Sequence, residues 1–281
     1  MSFIYKTVFM RKLIFFGLTL VAGLLLVSCK NGDDPNAADG TGKMVLNFEH
    51  YADGNPLIFD VMEYTNAAEN QYEVTEIQYF ISDITLNKFD GSKILLDAES
   101  FAHYIDSNLP ETKNWYLTDA IPDGTYTSIT MTFGIKGEKN KPYMFTDPPE
   151  SDMLWPSNLG GDQGGYHYMK LNGFWLNTAG QREPFNFHLG VGQEHDANNT
   201  ITGFVQNWFE TTMPASFTVK DNETKSITIR MNVEKWWDQP NVFDFNTIGG
   251  KIMQNQQAMH MGIENGKSVF AVSQIADVPK D

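Results

Sequence analysis

A single cysteine, Cys29, stands in 281 residues. One thiol makes no intrachain disulfide and no thiolate metal cluster, and if Cys29 is used elsewhere no cysteine nucleophile remains. Basic residues are also scarce: 20 Lys and Arg face 35 Asp and Glu, for a net charge of −15. Nucleic-acid binding needs a basic footprint that this chain lacks. Adhesion to anionic lipid headgroups is disfavoured for the same reason. There is no phosphate-cradling glycine loop, no His-Glu-x-x-His and no Gly-x-Ser-x-Gly, so nucleotide, zinc-peptidase and serine-hydrolase chemistry have no anchor. Carboxylates are plentiful, yet nothing singles out a pair for glycoside hydrolysis. No enzymatic role is expected. Long hydrophobic runs are missing too, since the longest falls short of the about 20 residues that a transmembrane helix takes.

What is there begins with an export signal. Arg11-Lys12 precedes an apolar run from Leu13 to Val27, and Leu26-Val27-Ser28-Cys29 closes it as a lipobox does. An uncleaved anchor helix is the alternative. Residues 1–9 add nothing to the signal, so Met10 serves equally well as a start. Residues 1–28 are therefore expected to be a lipoprotein signal peptide, with Cys29 acylated and the protein anchored to a membrane without spanning it. Residues 29–42 read as the lipidated Cys and a tether, rich in Gly, Asp and Asn and without hydrophobic period. Asp33-Asp34 resemble the acidic surface-export signal of Bacteroidota lipoproteins, although an ordinary solvated linker fits the same residues. The expected location is the outer membrane, on the periplasmic face or the cell surface. Residues 1–28 hold three basic and no acidic side chains, so their removal takes the net charge from −15 to −18. Such a surface attracts cations non-specifically.

Residues 43–281 alternate with period two, the mark of half-buried strands. Met44, Leu46, Phe48 and His50 share one face of the first strand. Asp53-Gly54-Asn55-Pro56 is a turn. Val74 to Phe89 is a long strand that ends at Asp90-Gly91, a hairpin signal, and Lys93 to Leu96 returns. Pro122-Asp123-Gly124 is the next turn, followed by a strand with Ile129, Met131, Phe133 and Ile135 on its dry face. Residues 136–164 hold four prolines and little period; a loop this long in a compact domain is usually functional or disordered. Strands resume at Tyr166–Leu176, Glu183–Gly190 and Ser226–Val233, and Ile252 to Met261 is compatible with a helix. The fold expected is all-β: a single β-sandwich with Greek-key-like connections and one or two short helices.

Histidine, methionine and tryptophan crowd together between Met153 and Gly190. Of the six histidines, His50 stands at a strand end on the inward face, His167 shares a face with Met169 and Leu171, and His188 ends a strand. His103 and His195 read as surface residues. Met259-His260-Met261 reads as a helix turn packed by Met before it reads as a copper-favouring cluster. A hairpin centred near Ala179-Gly180 sets His188 beside Leu171 or Asn172, about four residues or roughly 13 Å from His167. Two imidazoles each about 2 Å from one metal cannot span that distance, so pairing them needs a bulge. Any metal site is expected from one of these two, His50 and the 136–164 loop.

An ordered set of motifs runs along the chain: Phe48-Glu49-His50 before Gly54-Asn55-Pro56-Leu57, Val74 to Leu86, Tyr126 to Ile135, Met153-Leu154-Trp155, Gly165-Tyr166-His167-Tyr168-Met169-Lys170-Leu171-Asn172-Gly173 and Phe187-His188-Leu189-Gly190. The set resembles the MbnP-like family, copper-binding proteins of the periplasm or surface of methanotrophs and their relatives. The resemblance spans residue 44 to about 270. It implies a β-sandwich that binds one copper ion through His side chains and an oxidised tryptophan (kynurenine) made by a partner dihaem peroxidase. His50 and His188 match the family's recurring histidines, and Trp155 falls in its Met-x-Trp motif. Two positions depart. Asn140 is followed by Lys141, where relatives often carry His, and Ser157 stands where they carry a second Trp. The copper site expected is His50, with His188 or His167, and the loop bearing Met153 and Trp155, losing copper as pH falls through the His range near roughly 6.5. The competing reading is a lipoprotein with a lost metal site that binds a glycan or a protein partner, with Trp115, Trp175, Trp236 and Trp237 available to stack on sugars.

Overall fold

The computed structural model describes residues 40–96, 102–159, 161–198 and 200–279. The expected signal peptide, Cys29 and most of the tether lie outside the described residues. The architecture is carried by β1 (Thr41–Ala52), β2 (Gln71–Lys88), β3 (Ala102–Asp106), β4 (Gly124–Phe133), β5 (Met169–Leu176), β6 (Arg182–Leu189), β7 (Phe209–Val219), β8 (Thr224–Asn232) and β9 (Phe270–Asp277). Alternation produced these strands: in β7 every second residue from Phe209 to Val219 is buried, and Met44, Leu46, Phe48 and His50 form the dry face of β1. Asp53 and Gly54, at φ 50° and 79°, make the left-handed two-residue turn that hairpins prefer.

The sheets pack as a β-sandwich. One has the order β9–β8–β1, with the short strands Asn114–Tyr116 and Ile121–Pro122 also on β1. β1 and β8 run parallel, from Lys43 opposite Thr224 to Tyr51 opposite Asn232. In the other, β6 pairs with β5, β5 and β4 both pair with β2, and β4 pairs with β7. Phe48 of the first sheet and Tyr79 of the second meet edge-on across the core at 6.4 Å.

The second sheet contains the feature that positions the site. β3 pairs with Gln78–Ser82 of β2, overlapping both the stretch that takes β5, up to Tyr79, and the stretch that takes β4, from Ile81. A strand has two edges, so β5 and β4 lie end to end on the edge opposite β3. β6 and β7 continue each other in the same way, since Leu189 opposes Met169 and Phe209 opposes Phe133. Together the four strands form one long hairpin whose two arms are interrupted at the same level. Each interruption emits a loop, 134–168 from one arm and 190–208 from the other. Gly134 sits at the first exit with φ 86°, and a Cβ there would lie 2.6 Å from the Tyr168 ring. Only glycine lets the chain leave and return this closely.

Two boundaries and the exposure of one histidine differ from the sequence expectation. β5 begins at Met169 and not at Tyr166, because residues 166 and 167 pair with the loop: Leu154 bridges Tyr166, and the His167 N–H donates to the Met153 carbonyl at 2.7 Å. The helix α1 (Gln256–Gly266) starts later than Ile252 because Asn255 caps it, its side chain accepting from the Ala258 N–H at 3.0 Å. His103 is half-buried, stacked on Trp115 at 5.0 Å; its place in β3, against the first sheet's edge, covers it. The Met259-His260-Met261 turn follows expectation, with Met259 buried, Met261 packed on the core and His260 exposed.

Candidate metal centre

The 134–168 loop covers the outer face of the second sheet and brings a small core with it. Phe145 stacks on Phe80 at 5.3 Å, and Tyr166 meets Phe145 edge-on at 5.0 Å. Asn140 Oδ1 accepts from the Tyr166 N–H at 2.9 Å, so this buried asparagine staples the loop, while Lys141 beside it is exposed. Met153 and Trp155 are fully buried. The Trp155 N–H donates to the Gly165 carbonyl at 2.9 Å. Its ring lies against Gly190, where any Cβ would collide with it.

This packing brings three nitrogen-bearing rings together. The Trp155 and His167 centroids are 4.5 Å apart, and those of His167 and His188 are 5.2 Å apart with the rings nearly perpendicular, at 83°. His167 Nδ1 lies 2.9 Å from the Met153 carbonyl. A carbonyl only accepts, so Nδ1 carries the proton and Nε2 the lone pair. His188 is arranged the other way round. Its Nε2 lies 2.8 Å from Asn172 Oδ1, so Nε2 is protonated and Nδ1 holds the lone pair. Neither lone-pair nitrogen has a partner, nor has Trp155 Nε1, and all three are shut off from solvent. Buried polar atoms in proteins nearly always find partners, so three orphans in one cluster are a feature to explain.

Both imidazoles are held neutral. Burial pushes His188 down to about 3, helped by the neighbouring Lys170 ammonium. Burial also lowers His167 well below its usual range, with His188 and Lys170 adding to the effect and the backbone carbonyls of Met153 and Leu154 opposing it. The expected proton competition near pH 6.5 therefore does not describe these side chains, because desolvation has removed their ordinary basicity. Beside His188 a recess of about 410 Å³ opens between Asn158, Leu159, Asn186, Lys251, Met253 and Gln254.

The structure groups the candidate residues differently from the sequence expectation. His167 and His188 meet without a bulge inside the hairpin, because the ladder ends at Met169 opposite Leu189 and His167 has already turned into the loop. Met153 contributes its carbonyl to His167. His50 does not join His188, since they lie on opposite faces of the second sheet. Paired residues share a face and successive ones alternate. Tyr79, Met169 and Leu189 form one row and Gln78, Lys170 and His188 the next. His50 packs on the Tyr79 side, 5.7 Å from that ring and 6.4 Å from Phe59, in a recess of about 220 Å³ that also holds Lys113. Its Nε2 is buried without a partner. Burial and Lys113 lower its pKa to about 3 against the opposing pull of Asp106. Among the described residues there is no group of three or more His, Cys, Asp and Glu able to hold a metal. Trp115, Trp175, Trp236 and Trp237 are all buried and offer no face to a glycan.

The MbnP family model matches residues 41–259. The chain belongs to the MbnP family. Among solved structures it is similar to MbnP from Methylosinus trichosporium, with a TM-score of 0.46 and 12% identity over 73% of this chain and 80% of that one. No curated protein matches the chain. The MbnP match contains His50, Met153, Trp155, His167 and His188, whereas β9, which completes the first sheet, falls outside it. Sequence reasoning missed Asn172 and Glu76. The signal was present in the period: Asn172 is two residues from Lys170 and therefore on the His188 face, and Glu76 lies opposite it.

Proposed function

We propose that the protein is a binding lipoprotein of the cell envelope, held by acylated Cys29 at the outer membrane, and that it binds one copper ion at His167 and His188 beside Trp155. The supporting observation is the pair of neutral imidazoles, each with its proton engaged by a fixed acceptor and its lone-pair nitrogen buried without a partner. An outer partner that fixes the tautomer is how metal-ligating histidines are held. Imidazole suits copper, and two imidazoles fall short of the four ligands of a structural zinc site. His167 Nε2 and His188 Nδ1 would hold the ion. Unmodified indole is a poor ligand, so Trp155 lines the site unless oxidised, the role in which the dihaem peroxidase partner enters. The protein residues shield the two ligating nitrogens from water and keep those nitrogens free of protons.

Copper titration with competing chelator tests this reading. Wild type is expected to bind one equivalent, His188→Ala and His167→Ala to lose it, and His50→Ala to keep it. Loss in His50→Ala with retention in His188→Ala would move the site to the other face of the sheet and overturn the assignment.

A further inference from the structure

A row of polar side chains crosses β2, β5 and β6 on the face that carries His188. Glu76, Asn172 and Asn186 are cross-strand partners, and their side chains are joined. Asn172 Nδ2 donates to Glu76 Oε2 at 2.9 Å, and Asn172 Oδ1 accepts from Asn186 Nδ2 at 2.9 Å and from His188 Nε2 at 2.8 Å. Asn108 Nδ2 also donates to Glu76, through Oε1, at 3.1 Å, so the carboxylate is held at both oxygens.

We infer that Glu76 and Asn172 are positioning residues that dictate which nitrogen of His188 is offered to a metal. A carboxylate only accepts, so Glu76 admits only the NH₂ end of the Asn172 amide. That turns Oδ1 toward His188, and Oδ1 in turn admits only a protonated Nε2. The lone pair is thereby confined to Nδ1, the buried nitrogen without a partner. His167 reaches the same end through a backbone carbonyl and presents Nε2. The site is thus built from two imidazoles of opposite tautomer, one set by the loop and one by a carboxylate two residues removed across the sheet. This rests on the copper reading only for what the lone pair is for; the tautomer is a property of the metal-free protein.

Proton–nitrogen correlation spectra of the metal-free protein at neutral pH decide it, with copper affinity measured separately. In wild type the His188 proton is expected on Nε2, and a proton on Nδ1 overturns the inference. Glu76→Lys reverses the relay. An ammonium only donates, so Asn172 turns Oδ1 toward it and NH₂ toward His188, and the proton is expected on Nδ1. Copper affinity should then fall about 10–100-fold, the usual effect of losing an outer-shell partner. Glu76→Gln can still offer an oxygen and should keep the wild-type tautomer. A Glu76→Lys protein with its His188 proton still on Nε2 refutes the relay whether or not wild type binds copper. Absence of copper binding in a wild type with the expected tautomer removes the metal reading alone.

Discussion

Replacing His50 by leucine should make the metal-free protein resist acid. His50 lies among Phe59, Tyr79 and Phe48, is 7% exposed, and has an Nε2 with no partner. Its pKa is lowered from 6.5 to about 3 by burial and by Lys113, so the folded protein keeps it neutral while the unfolded chain takes a proton below about pH 6.5. The depressed value sets the sign: stability linked to His50 is complete above about pH 6.5 and drains away as pH falls toward about 3. The slope is about 1.4 kcal/mol per pH unit, so near pH 5 His50 alone costs about 2 kcal/mol, a large share of the about 5–15 kcal/mol that holds a domain together. Leucine fills a similar volume, leaves no orphaned nitrogen and does not titrate. Urea unfolding of wild type and His50→Leu, both metal-free, near pH 7 and again near pH 5 gives the answer. The variant should lose about 2 kcal/mol less than wild type between the two conditions. Equal losses would mean that water or a local opening solvates His50 in the folded state, and the argument from burial would fail.

Gly190→Ala should expel the Trp155 ring, because its Cβ would occupy the ring's place; a red-shifted tryptophan emission and about 1–3 kcal/mol of destabilisation are expected, and unchanged emission would show that the loop packs otherwise. Cys29→Ser should release the protein from membranes or block its processing, read by acyl labelling and fractionation; normal acylation in the variant would end the lipoprotein reading.

The strands were legible because each is wet on one face and dry on the other, and burial imposes period two directly on residue type. The parallel pairing of β1 with β8 was not, since a period says which face is buried and nothing about which distant strand lies alongside. The hairpin of β5 and β6 was legible to within two residues: His188 was expected beside Leu171 or Asn172 and stands opposite Lys170. That error is small in length and large in consequence, because each one-residue step exchanges the faces of a strand. Face assignment is what separates His188 from His50 and joins it to Asn172.

His167 shows the deeper limit. Its alternation with Met169 and Leu171 is a true strand pattern, and by that pattern it belongs to the core face. It departs because its N–H and Nδ1–H both find the Met153 carbonyl, across a loop with no period of its own. Two hydrogen bonds to one carbonyl and the Trp155 ring against Gly190 therefore decide whether the chain holds two separate structural histidines or one paired site. Neither interaction is written in the local spacing of residues. Both depend on the hairpin's two arms breaking at the same level, so that the loop from one arm can reach the strand end of the other. The proposed metal site of this sandwich accordingly resides in its interruption: the regular strands supply a rigid frame and the Asn172 contact of His188, and the irregular segment supplies His167, Trp155 and their burial.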